Sequence, residues 1–543
     1  MNSMHKNTTL NATYKFHGGI HPTENKLISS SSSIVKLEPG KLFRIQVNQS
    51  SVQNVEQTID IIVTKGQKVV LGEVLTSFQS SINLLNVPVH SPCNGTVLEI
   101  ELFSCGHKSS LPEMTIIIQA NEETPHETSV TKLKNKWTEE SQKSLINKIR
   151  NAGIVGLGGA TFPTHVKLSS PLSSDSINPA TLIINAMECE PYITCDDRLI
   201  RDYANKIIEG ALIVSRIVNC EKIVFAIEDN KPEAVLAIQE SIKQITEIEL
   251  GLSILVAPTK YPSGGEKQLI QIVTGQELTK QQLPKDLNIL VQNVATLFAV
   301  YQAIVLNRNL TERLVTITGD LVDEPGNYWI PFGTPFSEII TKFNISKKDL
   351  DFIIIGGPLM GQKISSFDIP TSKKVNCLIF NKRIVKVEVK DCIRCGECET
   401  VCPIKLLPQQ LYWFSKSEQW KPMEQLDLKA CIECGACDYV CPSDIPLVDY
   451  FRFAKSEVKH LLFKEKASEL SKQRFDNREK RLNRIKLARK AKQKKATQDR
   501  KKASENKSID PDGKKTAILD ALNRVKNKTK QKNETNTGLS NEE

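Results

Sequence analysis

The sequence opens without the apolar run of a secretory leader. Its first 30 residues are polar and contain no h-region. An oxidising compartment is therefore not expected, and its 14 cysteines read as reduced thiols or metal ligands rather than structural disulfides. A membrane span is missing too. The stretch 287–307 carries no charge and is long enough to cross. Gln292, Asn293, Thr296, Gln302 and Asn307 interrupt it, so a buried strand followed by a helix is expected, with no transmembrane helix. Aromatic residues are few, 6 %, and almost absent after Lys455. With no nucleic-acid module in sight, that scarcity argues against a nucleic-acid partner.

Charge of one sign is also missing from most of the chain. From Lys455 to Glu543 there are 27 basic and 13 acidic residues, whereas residues 1–454 hold 45 and 49. The net charge of +10 thus belongs to a tail. That tail is rich in Lys, Ala, Gln and Asn, without the apolar mass for a core. A solvated extension, disordered or helical, is the first reading, and contact with an anionic lipid surface or a partner the second.

At roughly 100–200 residues per domain, 543 residues suggest three or four units before the tail. Residues 34–120 read as β, with short apolar runs punctuated by Gly and Pro. Residues 140–310 alternate helix-like and strand-like segments in α/β order, with parallel strands expected. Residues 314–343 give a strand, a turn at Pro325-Gly326, a second strand and a helix.

The chemistry lies in the cysteines. Cys392, Cys395, Cys398 and Cys402 are followed by Pro403, and Cys431, Cys434, Cys437 and Cys441 by Pro442. Each set spells C-x2-C-x2-C-x3-C-P, the bacterial ferredoxin run. Thiolates suit iron–sulfur clusters. Gly396 and Gly435 let the backbone turn close to a cluster. Structural zinc takes four ligands and does not call for this third cysteine. In the ferredoxin run the fourth Cys ligates the other cluster. Cys392, Cys395, Cys398 and Cys441 are therefore assigned to one [4Fe–4S] cluster, and Cys431, Cys434, Cys437 and Cys402 to a second. Cys93, Cys105, Cys189, Cys195, Cys220 and Cys377 show no cluster spacing and read as inert thiols.

A Gly-rich loop, Gly153-Ile-Val-Gly156-Leu-Gly158-Gly159-Ala-Thr-Phe162-Pro-Thr-His-Val-Lys167, could bring backbone N–H groups and a lysine to a phosphate or a flavin, or could be a tight structural turn. It resembles the loop of the flavin- and NADH-binding subunit of respiratory complex I. Asn185-Ala-Met-Glu188-Cys-Glu190-Pro191, Tyr261-Pro-Ser-Gly264-Gly265-Glu266 and Gln292-Asn293-Val-Ala-Thr296-Leu297 are similar to further motifs of that family, in the same order. Residues 63–97 resemble a lipoyl/biotinyl-carrier half-barrel without an evident carrier-lysine hairpin, so a plain β-sandwich scaffold also stands. Residues 314–343 resemble a β-grasp module of the soluble-ligand-binding type. Together with His17-Gly18-Gly19-Ile20-His21-Pro22 near the start, the chain to about residue 455 looks like the RnfC/RsxC component of the Rnf/Rsx-type ion-translocating electron-transport complexes.

The resemblance implies a multidomain α/β fold with β modules. A barrel-sandwich-like β domain would occupy 1–130, and an FMN/NADH-binding-like α/β domain 131–310. A β-grasp module with connector (311–380), a double-cluster ferredoxin domain (381–455) and the basic tail (456–543) would follow. It also implies FMN, exchange with NAD(H), and a peripheral place on the cytoplasmic face of a bacterial inner membrane, held by other subunits. Such complexes couple electron flow between NAD(H) and a low-potential carrier to ion translocation. Carried over by position, Gly156, Gly158, Gly159 and Lys167 would cradle the FMN phosphate and ribityl groups. Asn185, Glu188, Asn293 and Thr296 would hydrogen-bond the flavin, and Phe162, Glu190 and Glu266 would lie at the nicotinamide entry. Leu157, Thr161, Met187, Gly265 and Gln292 depart from the complex I pattern. A clusters-only electron wire and a cobalamin-reductase-like soluble flavoprotein are the alternative readings.

Overall fold

The computed structural model describes residues 8–38, 40–49, 59–77, 85–104, 112–121, 137–170, 172, 179–245, 250–382, 388–505 and 513–534. Cys105 lies outside them. The chain divides into two units, Met1–Ser456 and Glu457–Glu543.

In the first unit the α/β order of residues 140–310 becomes a five-stranded parallel sheet. Its strands run Thr8–Asn11, Gly251–Ala257, Lys222–Glu228, Thr181–Ala186, Ile289–Asn293 across the sheet. Leu182, Ile183, Ile184, Ile223, Phe225 and Ile227 are all buried, as strands covered on both faces require. Helices Gln142–Asn151, Cys195–Val218, Pro232–Lys243, Glu266–Thr274 and Val294–Val305 cover it. The uncharged stretch is indeed a strand, Ile289–Asn293, running straight into a helix, Val294–Val305. Asn293 stops the strand and starts the helix, because its side-chain oxygen accepts from the N–H groups of Ala295 and Thr296.

The half-barrel is a four-stranded antiparallel sheet, in the order Leu42–Gln46, Pro112–Ala120, Gly95–Ser104, Lys68–Val69. Phe43, Ile45, Leu75, Val97, Ile116 and Ile118 form its core. The β-grasp segment contributes to a six-stranded mixed sheet: Gln362–Ile364, Ile353–Ile355, Cys377–Ile379, Glu312–Thr318, Gly326–Pro331, Val35–Lys36. Helix Phe336–Lys342 packs on it through Phe336, Ile339 and Ile340.

Two short N-terminal strands join sheets other than the half-barrel. Thr8–Asn11 adds to the parallel sheet beside Gly251–Ala257, and Val35–Lys36 adds beside Gly326–Pro331. Edge strands of four and two residues pair through backbone bonds and carry no apolar period to betray their destination.

In the second unit, helix Leu447–Glu505 continues and is followed by Gly513–Glu534. Almost every described side chain from Lys459 onward is exposed, so these helices build no core. No helix among the described residues is long and apolar enough to cross a membrane.

Candidate functional site

The Gly-rich loop is fastened from behind. Thr296 Oγ1 accepts from the Leu157 N–H at 2.9 Å, and the buried Arg313 donates to the Leu157 carbonyl at 2.9 Å. The buried Lys373 ammonium donates to the Gly153 carbonyl at 2.7 Å and the Pro88 carbonyl at 3.2 Å. Burial alone pushes that ammonium down to about 7. The turn closes on itself through Gly156 N–H to the Phe162 carbonyl at 2.8 Å. In front, Gly159 has φ +106° and nothing within 4 Å of where a Cβ would stand.

The loop faces a cleft of about 1390 Å³. Of the expected flavin and nucleotide residues, Gly158, Asn185, Glu188, Glu190, Glu266 and Asn293 line it. Gly156, Gly159, Phe162, Lys167 and Thr296 are not among its lining residues. Thr296 is wholly buried and its hydroxyl serves the loop. Phe162 is 38 % exposed. Lys167 pairs with Glu266 at 2.7 Å, linking one expected residue outside the lining to one within it. Among the departures, Leu157, Met187 and Gln292 are buried, and Gly265 lines the cleft.

The floor of the cleft is a network of charged groups. Glu188 accepts from the N–H groups of Asp196 at 2.6 Å and Asp197 at 3.2 Å, at the start of helix Cys195–Val218. Removal from water pushes its carboxyl up to about 8; the Lys26 ammonium opposes the rise and the Asp196 carboxylate adds to it. Lys26 donates to the carbonyls of Glu188 (2.7 Å), Glu190 (2.9 Å) and Ile193 (2.6 Å). Asn293 Nδ2 donates to Asp196 at 2.6 Å, and Asn185 Nδ2 to the Gly264 carbonyl at 2.9 Å. Glu190 accepts from the N–H groups of Leu359 (2.7 Å) and Met360 (2.9 Å), which the β-grasp segment brings in. Sequence reasoning missed Lys26, Asp196 and Met360. Only Asp196 had a local signal, as an acid in the first turn of a helix.

The eight ferredoxin-type cysteines come together as two sets. Cys392, Cys395, Cys398 and Cys441 line one small cavity. Cys402 lies within electrostatic reach of Cys431 and Cys434, and Cys437 of the same two thiols. Burial pushes the Cys434 thiol up to about 12 and the Cys398 thiol up to about 11. The two runs repeat one backbone pattern: Arg394, Gly396 and Lys405 have positive φ, as do Glu433, Gly435 and Asp444 at the matching places. An all-sulfur donor set of four, twice, fits two [4Fe–4S] clusters. Of the remaining thiols, Cys93, Cys195, Cys220 and Cys377 are buried and Cys189 is half-buried.

The second set adjoins the cleft. Tyr261, Pro262, Ala430 and Ile432 line the cleft, and the Tyr261 hydroxyl donates to the Cys434 carbonyl at 2.6 Å. The first set reaches solvent at Cys395, which is exposed.

Three family models match along the chain: the RnfC barrel sandwich hybrid domain over residues 14–123, the Nuo51 FMN-binding domain over 149–302, and a 4Fe-4S dicluster domain over 391–445. A Salmonella gallinarum protein described as the C component of an ion-translocating oxidoreductase complex is 39 % identical over 531 residues, 95 % of this chain and 73 % of that protein. The chain belongs to the RnfC family of ion-translocating oxidoreductase components. The Vibrio cholerae O395 member is 40 % identical over 94 % of this chain, and the Haemophilus influenzae Rd member 41 % identical over 76 %. The chain spans 64 % of the Vibrio member's length and 49 % of the Haemophilus member's. A chain of an NAD+-reducing [NiFe]-hydrogenase overlaps 53 % of this chain and 53 % of its own length, with TM-score 0.40 and 20 % identity, too distant a likeness to carry more. FMN and [4Fe–4S] clusters, the cofactors named by two of the matching domains, fit the residues in place.

Proposed function

We propose that this RnfC-family chain moves electrons between NAD(H) at the cleft and other subunits of a membrane-bound complex, which couples that flow to ion translocation. The observation that carries the reading is the Tyr261 bridge. One side chain both lines the cleft and bonds the backbone of a cluster ligand. The path then runs from the cleft to the inner set (Cys431, Cys434, Cys437, Cys402) and on to the outer set (Cys392, Cys395, Cys398, Cys441), which ends at the exposed Cys395. Bound FMN supplies the conversion of a hydride's two electrons into single electrons, and the clusters take electrons singly.

The chain's own residues prepare each part. Gly158 and Gly159 leave backbone and space where a phosphate chain would lie. Asn185 and Asn293, each already fixed by one hydrogen bond, present oriented amides to a flavin. Glu188, held near neutrality, places little negative charge beneath it. Glu190, Glu266 and Lys167 stand toward nucleotide entry. The domain limits drawn from the sequence (1–130, 131–310, 311–380, 381–455, 456–543) are proposed with this reading, as is a peripheral position on the cytoplasmic face through partner subunits.

The test is anaerobic reconstitution of the full chain with iron, sulfide and FMN, followed by EPR before and after NADH. Reduction of both clusters only when FMN is bound is the expected result. Clusters present with no FMN bound and no response to NADH would replace the reading with a clusters-only wire.

A further inference from the structure

The motif His17-Gly18-Gly19-Ile20-His21-Pro22 supplies no cluster ligand and does not line the cleft, yet it lies between the two. Gly18 has φ +65°, and a Cβ there would stand 2.5 Å from the Val401 carbonyl oxygen and 2.8 Å from the carbonyl carbon of Cys402. Gly19 has φ +83°, and its Cβ would stand 2.6 Å from the Tyr261 carbonyl oxygen. Only glycine combines that conformation with those approaches. The Gly19 N–H donates to the Val401 carbonyl at 2.8 Å, and the His17 ring sits 3.2 Å from the Cys402 carbonyl.

The next residues turn to the cleft. Ile20 exchanges both backbone bonds with Tyr261, at 2.8 and 3.0 Å, and is buried against Tyr261, Cys434 and Ala436. The Glu24 carbonyl accepts from the Tyr192 N–H at 2.8 Å. Lys26 then grips three carbonyls of the cleft floor. One short segment thus holds Cys402, the ligand that the inner set borrows from the other run, together with Tyr261 and the loop of Glu188.

We infer that residues 17–26 form a strap that fixes the gap between the cleft and the inner cysteine set, and thereby sets the rate at which electrons cross it. His17, Gly18, Gly19 and Lys26 are positioning residues: they act through Val401, Cys402, Tyr261 and the floor carbonyls. The inference rests on the electron path proposed above.

The test uses the full chain, reconstituted as before, with Gly18→Ala, Gly19→Ala and His17→Ala. Four quantities are read: hydrogen exchange of the Gly19, Ile20 and Tyr261 amides, FMN affinity, the midpoint potential of each cluster, and the rate of inner-cluster reduction by NADH. A displacement of the order of 1 Å far from the chemistry can slow a step about a hundredfold. The glycine variants are therefore expected to slow inner-cluster reduction by roughly ten- to a hundredfold and to speed exchange of those amides. FMN affinity and the outer cluster's potential should stay at parental values. Parental rate and exchange in both glycine variants would overturn the strap. Should those variants lose iron, His17→Ala decides, since it removes a single side-chain contact: slowed reduction supports the strap and a parental rate overturns it. If the parent itself takes no electrons from NADH, the electron path has failed, and unchanged amide exchange in the variants then removes the strap separately.

Discussion

Cys395 and Cys434 hold the same place in two runs of identical spacing, yet Cys395 is exposed and Cys434 is buried. The glycines that follow them differ in the same way. A Cβ on Gly396 would meet nothing within 4 Å, whereas one on Gly435 would stand 2.6 Å from the Leu359 carbonyl oxygen. Before them, Arg394 lies on the outer cavity, while Glu433 is held by Arg452 at 2.9 Å and Lys455 at 2.8 Å. Local spacing decides that a loop can wrap a cluster; the packing around the loop decides whether that cluster faces the protein or the outside.

Removing crossed ligands should break this asymmetry most sharply. Cys402→Ser strips a ligand from the inner set, although it sits in the first run. It should abolish the inner cluster and, with it, reduction of the outer cluster by NADH. Cys441→Ser should abolish the outer cluster and leave the inner one reducible. Iron content and EPR of the two variants distinguish these outcomes, and the opposite pattern would reverse the order of the path.

The glycine pair gives the next largest difference. Both positions have left-handed backbone, φ +82° at Gly396 and +75° at Gly435, so alanine costs about 1–2 kcal/mol at either. Gly435→Ala must also displace the Leu359 carbonyl, raising its total to about 2–4 kcal/mol. Iron release in denaturant should therefore be faster in Gly435→Ala than in Gly396→Ala. Equal rates would mean that the inner packing yields freely.

Tyr261→Phe is gentler. It deletes one buried hydroxyl and leaves the Cys434 carbonyl without that donor, at about 0.5–1.5 kcal/mol. A redox titration should show the inner cluster's potential moved and the outer one's unmoved.

How much of this was legible in the sequence follows the range of each contact. The cluster ligands are written within two 11-residue windows, and their spacing alone groups Cys441 with Cys392, Cys395 and Cys398, the four that share one cavity. The strand Thr181–Ala186 and the strand-to-helix break at Asn293 were likewise local, one in its apolar run and the other in its polar interruption. Lys26 was invisible, because it serves carbonyls 162 to 167 residues away and no periodicity marks a lysine that bonds to backbone. The role of the His17–Pro22 motif was hidden for the same reason: its partners, Tyr261 and Val401, are distant in sequence. Thr296 shows the converse. A motif match points its hydroxyl toward a flavin, whereas in the fold it is buried and accepts from the loop behind.

The smallest expected effect sharpens the comparison from the side of pH. Glu188 lies on the inner side, and its carboxyl is raised from 4.5 to about 8, by burial first, with Lys26 opposing. A carboxyl raised in the folded chain is a proton held more tightly there than in the unfolded chain. Its contribution is fully present below pH 4.5 and is lost as the pH rises through about 8. Glu188→Gln mimics the protonated form and keeps an oxygen for the start of helix Cys195–Val218. Melting midpoints of the parent should therefore decline across that window more steeply than those of Glu188→Gln, with the two converging at the acid end. Because Glu188 touches the cleft and not the outer cysteines, the same change in pH should alter FMN affinity in the parent. Iron release from the outer set should have the same pH profile in the parent and in the variant. If the variant changes that profile as well, the two sets are coupled through more than the ligands they exchange.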